Sequence, residues 1–129
     1  MQRKIFNYFE IAAKTAMSKS DNRTFLLGSV GIRSDGAMVK SLNSPTEIPN
    51  RKTHSEYRLS KKLDYNSIVY VARVRLADGK FAMARPCVSC QKVLCSKRVS
   101  KVYYTISECE WGLWIPSQNK DFYYYDNLF

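Results

Sequence analysis

The sequence predicts an α/β protein in which one sheet is covered by helices. Segments with the apolar periodicity of a helix alternate along the chain with short runs rich in β-branched residues. A chain of 129 residues fits one domain. Hydrophobic residues make up 45% and charged residues 25% of the composition, as in ordinary globular proteins. We therefore expect residues 1–129 to form a single domain.

The first half of the chain is expected to contain one helix and a β-hairpin. The helix, over residues 4–18, carries its apolar residues at the spacing of one buried face: Ile5, Phe9, Ala12, Ala13 and Ala16. Residues 24–32 and 37–42 are rich in β-forming residues, and the turn signal RSDG at 33–36 separates them. The stretch at 43–50 contains two prolines and is predicted to be a loop.

The second half is expected to contain two helices and three strands. The helices cover 54–63 and 88–97, the second of them starting after a proline. The strands cover 67–76, 102–106 and 111–115. The predicted order is therefore α-β-β-α-β-α-β-β, with five strands in one sheet.

The charge is unevenly distributed and favours an anionic partner. Residues 1–101 contain 20 Lys/Arg against 7 Asp/Glu, a net +13, and the remaining residues contain 1 against 4, a net −3, which gives the total of +10. A basic surface attracts phosphates or simply keeps the protein in solution. No stretch approaches the roughly 20 apolar residues of a membrane span, and the N-terminus does not resemble a signal peptide. We therefore expect a cytoplasmic protein without membrane contact.

Two short motifs carry side chains suited to metal chemistry. His54 and Glu56 lie in the stretch HSE, and Cys87 and Cys90 lie in PCVSC, directly after Pro86. On the first turn of a helix, the i and i+3 spacing puts both sulfurs on one side. The partial positive charge of a helix N-terminus favours the thiolate form that a metal requires. We predict that His54, Cys87 and Cys90 hold one zinc ion.

Three protein ligands leave a fourth position on zinc for water, which is typical of catalytic sites. Zinc lowers the pKa of such a water to about 7. Glu56 is then predicted to move the proton, since it stands beside the histidine and is not needed as a ligand. Cys95 falls on another face of its helix and Cys109 is distant in sequence, so both are predicted to be reduced core thiols. The alternative interpretation is a core histidine and two unrelated thiols.

Together the motifs resemble those of the zinc-dependent cytidine deaminase superfamily, whose signature is H-x-E followed by P-C-x-x-C. The resemblance implies a three-layer α-β-α fold with a five-stranded mixed sheet and helices on both faces. It implies that His54, Cys87 and Cys90 ligate Zn²⁺ and that Glu56 is the general acid and base. The reaction implied is attack of zinc-activated water on C4 of cytosine, with loss of ammonia. Only the stretch SECE separates the last two predicted strands, which favours a tight antiparallel hairpin, as in nucleoside cytidine deaminases.

The same resemblance suggests substrate contacts. Asn43 matches an asparagine that holds the sugar, and the backbone around Ala84 and Arg85 would face the amino group. A larger set is predicted from residue type alone, with aromatic side chains as platforms for bases and cations for a phosphate. The aromatic candidates are Tyr57, Tyr104 and Trp111, and the phosphate candidates are Arg51, Lys52, Arg58 and Arg85.

Three functions follow from these residues. We expect deamination of a cytosine nucleoside or nucleotide, with single-stranded DNA or RNA as the alternative substrate. The third reading is a non-enzymatic zinc module that binds nucleic acid, which would need a closed zinc site. The C-terminal stretch DFYYYDNLF is aromatic, and FYYY at 122–125 is compatible with a last strand, a packing tail or a subunit contact, so a homo-oligomer is among the expectations.

Overall fold

The structure is a computed structural model that describes residues 2–18, 25–42 and 55–125. Three helices and seven strands form within these ranges. The helices are α1 (Gln2–Ala16), α2 (Ser55–Ser60) and α3 (Val88–Ser96). The strands are β1 (Phe25–Ile32), β2 (Met38–Leu42), β3 (Ile68–Arg75), β4 (Phe81–Ala82), β5 (Lys101–Thr105), β6 (Glu110–Ile115) and β7 (Lys120–Tyr125).

The strands form one mixed sheet with the order β2-β1-β3-β5-β6-β7, and the short β4 pairs with β3 off this path. Only β3 and β5 are parallel, and all other neighbours are antiparallel. The predicted α/β class is thus confirmed. The predicted number of five strands is wrong, because β4 has two residues, too few to show a period, and β7 is aromatic on both faces, so it lacks the alternation that marks a strand.

The sheet has two buried faces. Strand β3 is central and turns Tyr70, Ala72 and Val74 toward α1, while Val69 and Val71 face α2 and α3. We call these the α1 face and the α2/α3 face. This accounts for the β-branched run at 67–76, since a strand covered on both faces needs apolar residues at every position. The five apolar residues predicted for the buried face of α1 are all buried.

Helix α1 lies unusually close to β1 at one point. A Cβ atom placed on Gly28 would lie 2.1 Å from the carbonyl oxygen of Ala12 and 2.9 Å from the backbone nitrogen of Ala16. Both atoms are helix backbone, so they cannot move without displacing the helix. Glycine at position 28 therefore sets the distance at which α1 packs on the sheet.

We expect Gly28→Ala to lower the free energy of unfolding by about 1–3 kcal/mol, because α1 must lift from the sheet to admit the methyl group. Chemical denaturation followed by circular dichroism measures this. The matched control is Gly31→Ala on the same strand, where the new Cβ meets the flexible ends of the Leu63 and Val39 side chains, so the loss should be smaller. Equal losses at both positions would contradict this reading of the α1 contact.

Candidate active site

Helices α2 and α3 begin at the same end of the sheet. Both helices finish at the opposite end, where β3 and β5 start. There the Asn66 amide, after α2, donates to the Arg98 carbonyl, after α3, at 3.1 Å, and Ser100 N–H donates to the Ser67 carbonyl at 2.9 Å. At the other end, Ala84 N–H donates to the Thr105 carbonyl at 2.9 Å, just before α3 begins and where β5 ends. Both helices pack on the same core cluster, α2 through Leu59 and α3 through Leu94.

The two cysteines of PCVSC occupy the start of α3. Cys87 is the N-cap residue, with φ −67° and ψ 167°, and its carbonyl accepts the Gln91 amide at 2.8 Å. The Gln91 side chain also donates to the Pro86 carbonyl at 2.8 Å, which fastens the entering chain to the helix. Cys90 is 1% exposed, while Cys87 is exposed. One thiol therefore lies inside the protein and the other faces solvent, both on the positive end of α3.

Glu56 lies in the first turn of α2 and is 2% exposed. Among the acidic side chains of the described ranges, it is the one that is buried. A carboxylate costs free energy when it leaves water, so a buried one needs compensating interactions. This location suits a group that exchanges protons in a site closed to bulk solvent.

Several predicted residues lie outside the described part of the chain. His54, Asn43, Arg51 and Lys52 are among them, and so is the side chain of Tyr57. Within the described ranges, no three His, Cys, Asp or Glu side chains are grouped so as to hold a metal ion. The structure describes all four cysteines, and none is in a disulfide. Two reduced thiols on one helix turn are a donor set that suits zinc, with the predicted nitrogen ligand immediately before α2.

Arg85 and Tyr104 are tied to the added strand β7. The Arg85 guanidinium donates Nε to Oδ1 of Asp121 at 2.9 Å and Nη2 to Oδ2 at 2.8 Å. The Tyr104 hydroxyl donates to the same Oδ1 at 2.7 Å, and its ring passes over Gly112, where any Cβ would collide with it. We call this set the Asp121 anchor. It ties Arg85, two residues before Cys87, to the edge strand β7.

The electrostatics of the Asp121 anchor follow from these bonds. The donors of Arg85 hold the pKa of the Asp121 carboxyl below its usual value, against the opposite effect of burial, and the Tyr104 hydroxyl acts in the same direction. Burial, followed by the hydrogen bond to Asp121, raises the pKa of Tyr104. The charge of Arg85 is therefore largely neutralised by Asp121 and is not available in full to a phosphate.

We expect Asp121→Asn to lower the free energy of unfolding by about 1–3 kcal/mol near neutral pH, because two charge-assisted donors lose their partner. The matched control is Asp78→Asn, which breaks the exposed pair with Arg75 and should change little. Thermal denaturation of the three proteins measures both.

The stabilisation by Asp121 should depend on pH in a defined direction. Because folding lowers the pKa of Asp121, the carboxylate contributes to the free energy of unfolding above the unfolded pKa of about 3.9. This contribution is lost as the pH falls through the pKa of the folded state. The difference between the parent chain and Asp121→Asn should thus shrink on acidification. A difference independent of pH would contradict the role of the carboxylate.

The other predicted contacts are distributed over the fold. Ala84 is buried in the core cluster of the α2/α3 face, between the end of β5 and the start of α3. The Arg58 guanidinium donates to the Leu42 carbonyl at 2.8 Å, which ties α2 to the end of β2. Trp111 lies on the α1 face, in the core with Ile5 and Phe9, so it is not brought together with Cys87 and Glu56.

The prediction for the two remaining cysteines is wrong in part. Both are reduced, but Cys95 is exposed and Cys109 is only partly buried, so neither is a core thiol. Cys95 lies in the last turn of α3, on the solvent side. Sequence reasoning also missed Asp121, because its role depends on a partner 36 residues away and on a last strand that was only one of three alternatives for this stretch.

Comparison with known proteins adds nothing to this geometry. No protein-family model matches the chain, and a search of curated proteins finds no significant match. No helix within the described ranges is both long and apolar enough to cross a membrane.

Proposed function

We propose that this protein is a zinc-dependent hydrolytic deaminase that converts cytosine to uracil in a cytidine or deoxycytidine nucleoside or nucleotide. The observation that carries the proposal is that Glu56, which is buried, and the pair Cys87 and Cys90 lie at the starts of two helices that pack on one core cluster. The resemblance of HSE and PCVSC to the cytidine deaminase signature supports the same assignment. The antiparallel pairing of β5 and β6 agrees with the hairpin expected of the nucleoside enzymes.

The residues divide into holding and proton-moving groups. His54, Cys87 and Cys90 would hold the metal, with both thiolates stabilised by the α3 N-terminus. Bound zinc supplies a Lewis acid that lowers the pKa of water to about 7. The Glu56 carboxylate accepts a proton from the attacking water and delivers protons to the cytosine ring and then to the departing amino group. One water is consumed, the C4–N bond breaks, a C4 carbonyl forms and ammonia leaves.

The charges near the site bear on the size of the substrate. The bond from Arg85 to Asp121 withdraws one of the predicted phosphate contacts. Arg51, Lys52 and Arg58 remain as candidates, which is enough for the phosphate of a single nucleotide. Glu108, in the β5–β6 turn, accepts the Phe81 amide at 2.7 Å, so this turn presents an acidic group beside the sheet end. These features favour a nucleoside or nucleotide over a polynucleotide.

A second candidate is cytosine deamination in single-stranded DNA or RNA. The net +13 of residues 1–101 exceeds what one phosphate requires, and it is the observation that favours this candidate. A polynucleotide enzyme would act on single strands, where the base is already unstacked.

The deciding experiment measures ammonia release from deoxycytidine, dCMP, dCTP and a cytosine-containing oligonucleotide under one set of conditions. We expect turnover of a nucleoside or nucleotide. Turnover of the oligonucleotide alone, falling steeply as salt is raised, would favour the second candidate. A zinc-loaded protein that releases no ammonia from any of the four would refute deamination.

A further inference from the structure

The outer edge of β7 is the most exposed apolar feature of the described chain. Phe122, Tyr123, Tyr124 and Tyr125 are 41–79% exposed, although they follow one another in a regular strand. Strand β7 ends the sheet, and no strand within the described ranges pairs with its outer side. One row of its backbone N–H and C=O groups and four aromatic side chains are therefore presented to solvent.

Natural sheet edges are usually protected against pairing with another chain, by lysines, prolines, bulges or very short strands. The opposite edge of this sheet, β2, has an exposed lysine, Lys40, in its centre. Strand β7 has its charges only at positions 120 and 121, and the carboxylate of Asp121 is turned inward to Arg85. The four residues that follow contain no charge, proline or bulge.

We propose that β7 is a self-association surface, on which a second copy of this chain pairs antiparallel to β7 and continues the sheet across a two-fold axis. This inference does not depend on the proposed deamination. It is drawn from the strand edge, its exposed rings and the pattern of aromatic contacts leading to it.

Aromatic rings cross the α1 face from helix to edge. Tyr8 of α1 stacks on Tyr70 with centroids 4.5 Å apart, Tyr70 stacks on Tyr103 at 5.0 Å, and the tilted pair of Tyr103 and Trp111 follows at 5.9 Å. Trp111 stacks in turn on Tyr124 of β7, at 4.2 Å. The row thus ends at the exposed edge, and no further ring of the described residues continues it.

The pleat of β7 fixes the register. Phe122 and Tyr124 lie opposite Leu113 and Trp111 and are therefore on the α1 face, while Tyr123 lies opposite Gly112 on the α2/α3 face. A two-fold axis perpendicular to the sheet keeps each face on its own side, so residues that pair must share a face. Centring the axis on Tyr123 pairs Phe122 of each copy with Tyr124 of the other and extends the aromatic row into both copies.

The size of this surface predicts a weak association. From the 150–250 Å² that an aromatic side chain buries, the exposed fractions of the four rings amount to on the order of 450 Å² per chain. Stable complexes bury about 800 Å² per partner. We therefore expect a reversible dimer with a dissociation constant in the micromolar range or weaker.

Single-stranded nucleic acid is the other ligand that exposed aromatic rings could attract. The charge of this part of the chain argues against it. Residues 102–129 carry one Lys/Arg against four Asp/Glu. A phosphate backbone would be repelled at this edge, whereas strand β7 of a second copy carries one Lys and one Asp and is neutral in sum.

The test is sedimentation velocity of the whole chain over a roughly hundredfold range of concentration. We expect the average mass to rise reversibly from 14.9 kDa toward twice that value. Tyr123→Lys should remain at the lower mass, because two ammonium groups would meet on the axis. Tyr65→Lys, which alters an exposed tyrosine elsewhere, should associate like the parent. A parent chain that stays monomeric, or a Tyr123→Lys variant that associates normally, would overturn the proposal.

Cross-linking provides a second measurement in case Tyr123→Lys does not fold. Only a residue on the axis lies opposite itself, so Tyr123→Cys should form a disulfide-linked dimer on mild oxidation, above the background of the parent cysteines. Tyr125→Cys, which would lie opposite Asp121, should not. Equal cross-linking of both variants, or of neither, would overturn the register.

An oligonucleotide-binding assay covers the other ligand. If the parent chain remains monomeric and binds a labelled oligonucleotide, and Tyr123→Lys does not bind it, the surface belongs to nucleic acid instead.

Discussion

Replacing Glu56 by glutamine is expected to lower kcat/KM for cytosine deamination by about 10²–10⁴-fold, the usual contribution of a positioned general acid and base. Glutamine has nearly the shape of glutamate, so it should fill the same buried position in α2, but it can neither accept the proton of water nor deliver it to the amino group. Ammonia release at saturating and limiting substrate measures the loss, and elemental analysis of the same sample should show unchanged zinc.

The matched control is Glu110→Gln, the same change at an exposed carboxylate at the start of β6. It should leave kcat/KM within a few-fold of the parent value. Two results would count against the assignment of Glu56. One is activity that survives Glu56→Gln, and the other is loss of zinc in this variant, since Glu56 would then serve the metal site rather than proton transfer.

Replacing either Cys87 or Cys90 by serine is expected to reduce bound zinc from about one ion per chain to nearly none. The hydroxyl of serine is far less acidic than a thiol and does not form the anionic ligand that zinc requires. Elemental analysis after dialysis measures the loss without reference to activity. Because metal binding adds to folding stability, the melting temperature should fall in both variants.

Helix α3 provides its own control for this experiment. Cys95→Ser makes the same change eight residues after Cys87, on the exposed side of the last turn, and should retain zinc. The two ligand variants should also differ from each other in stability. Cys90 is buried in the core, so Cys90→Ser should lower the free energy of unfolding more than the same change at the exposed Cys87. Equal zinc content in Cys87→Ser and Cys95→Ser would exclude Cys87 as a ligand.

Much of the fold could be predicted because local patterns specified it. The face of α1 was visible at helical spacing, and the hairpin of β1 and β2 was marked by its turn residues. Pro86 marked the start of α3, so the location of Cys87 and Cys90 at the beginning of this helix was also predictable. These elements require only neighbours in sequence to be recognised.

What could not be predicted depends on pairing between distant segments. Strand β7 gains its place from backbone bonds to β6, and the Asp121 anchor from a guanidinium 36 residues away. The placement of Trp111 and Trp114 on opposite faces of the sheet could, by contrast, have been predicted. Two residues three apart on one strand point to opposite faces, so a strand over 111–115 required Trp111 and Trp114 to lie on opposite faces of the sheet.

Both tryptophans of the chain lie on β6, one on each face of the sheet. Trp111 stacks on a tyrosine of β7, and the Trp114 indole donates to Asn119 in the turn that leads there, at 3.3 Å. The intrinsic fluorescence of this molecule is thus emitted almost wholly from the β6–β7 hairpin. A denaturation curve recorded at tryptophan wavelengths will report the detachment of that hairpin, and only circular dichroism or amide exchange will reveal whether the helices around Glu56 and Cys90 melt with it.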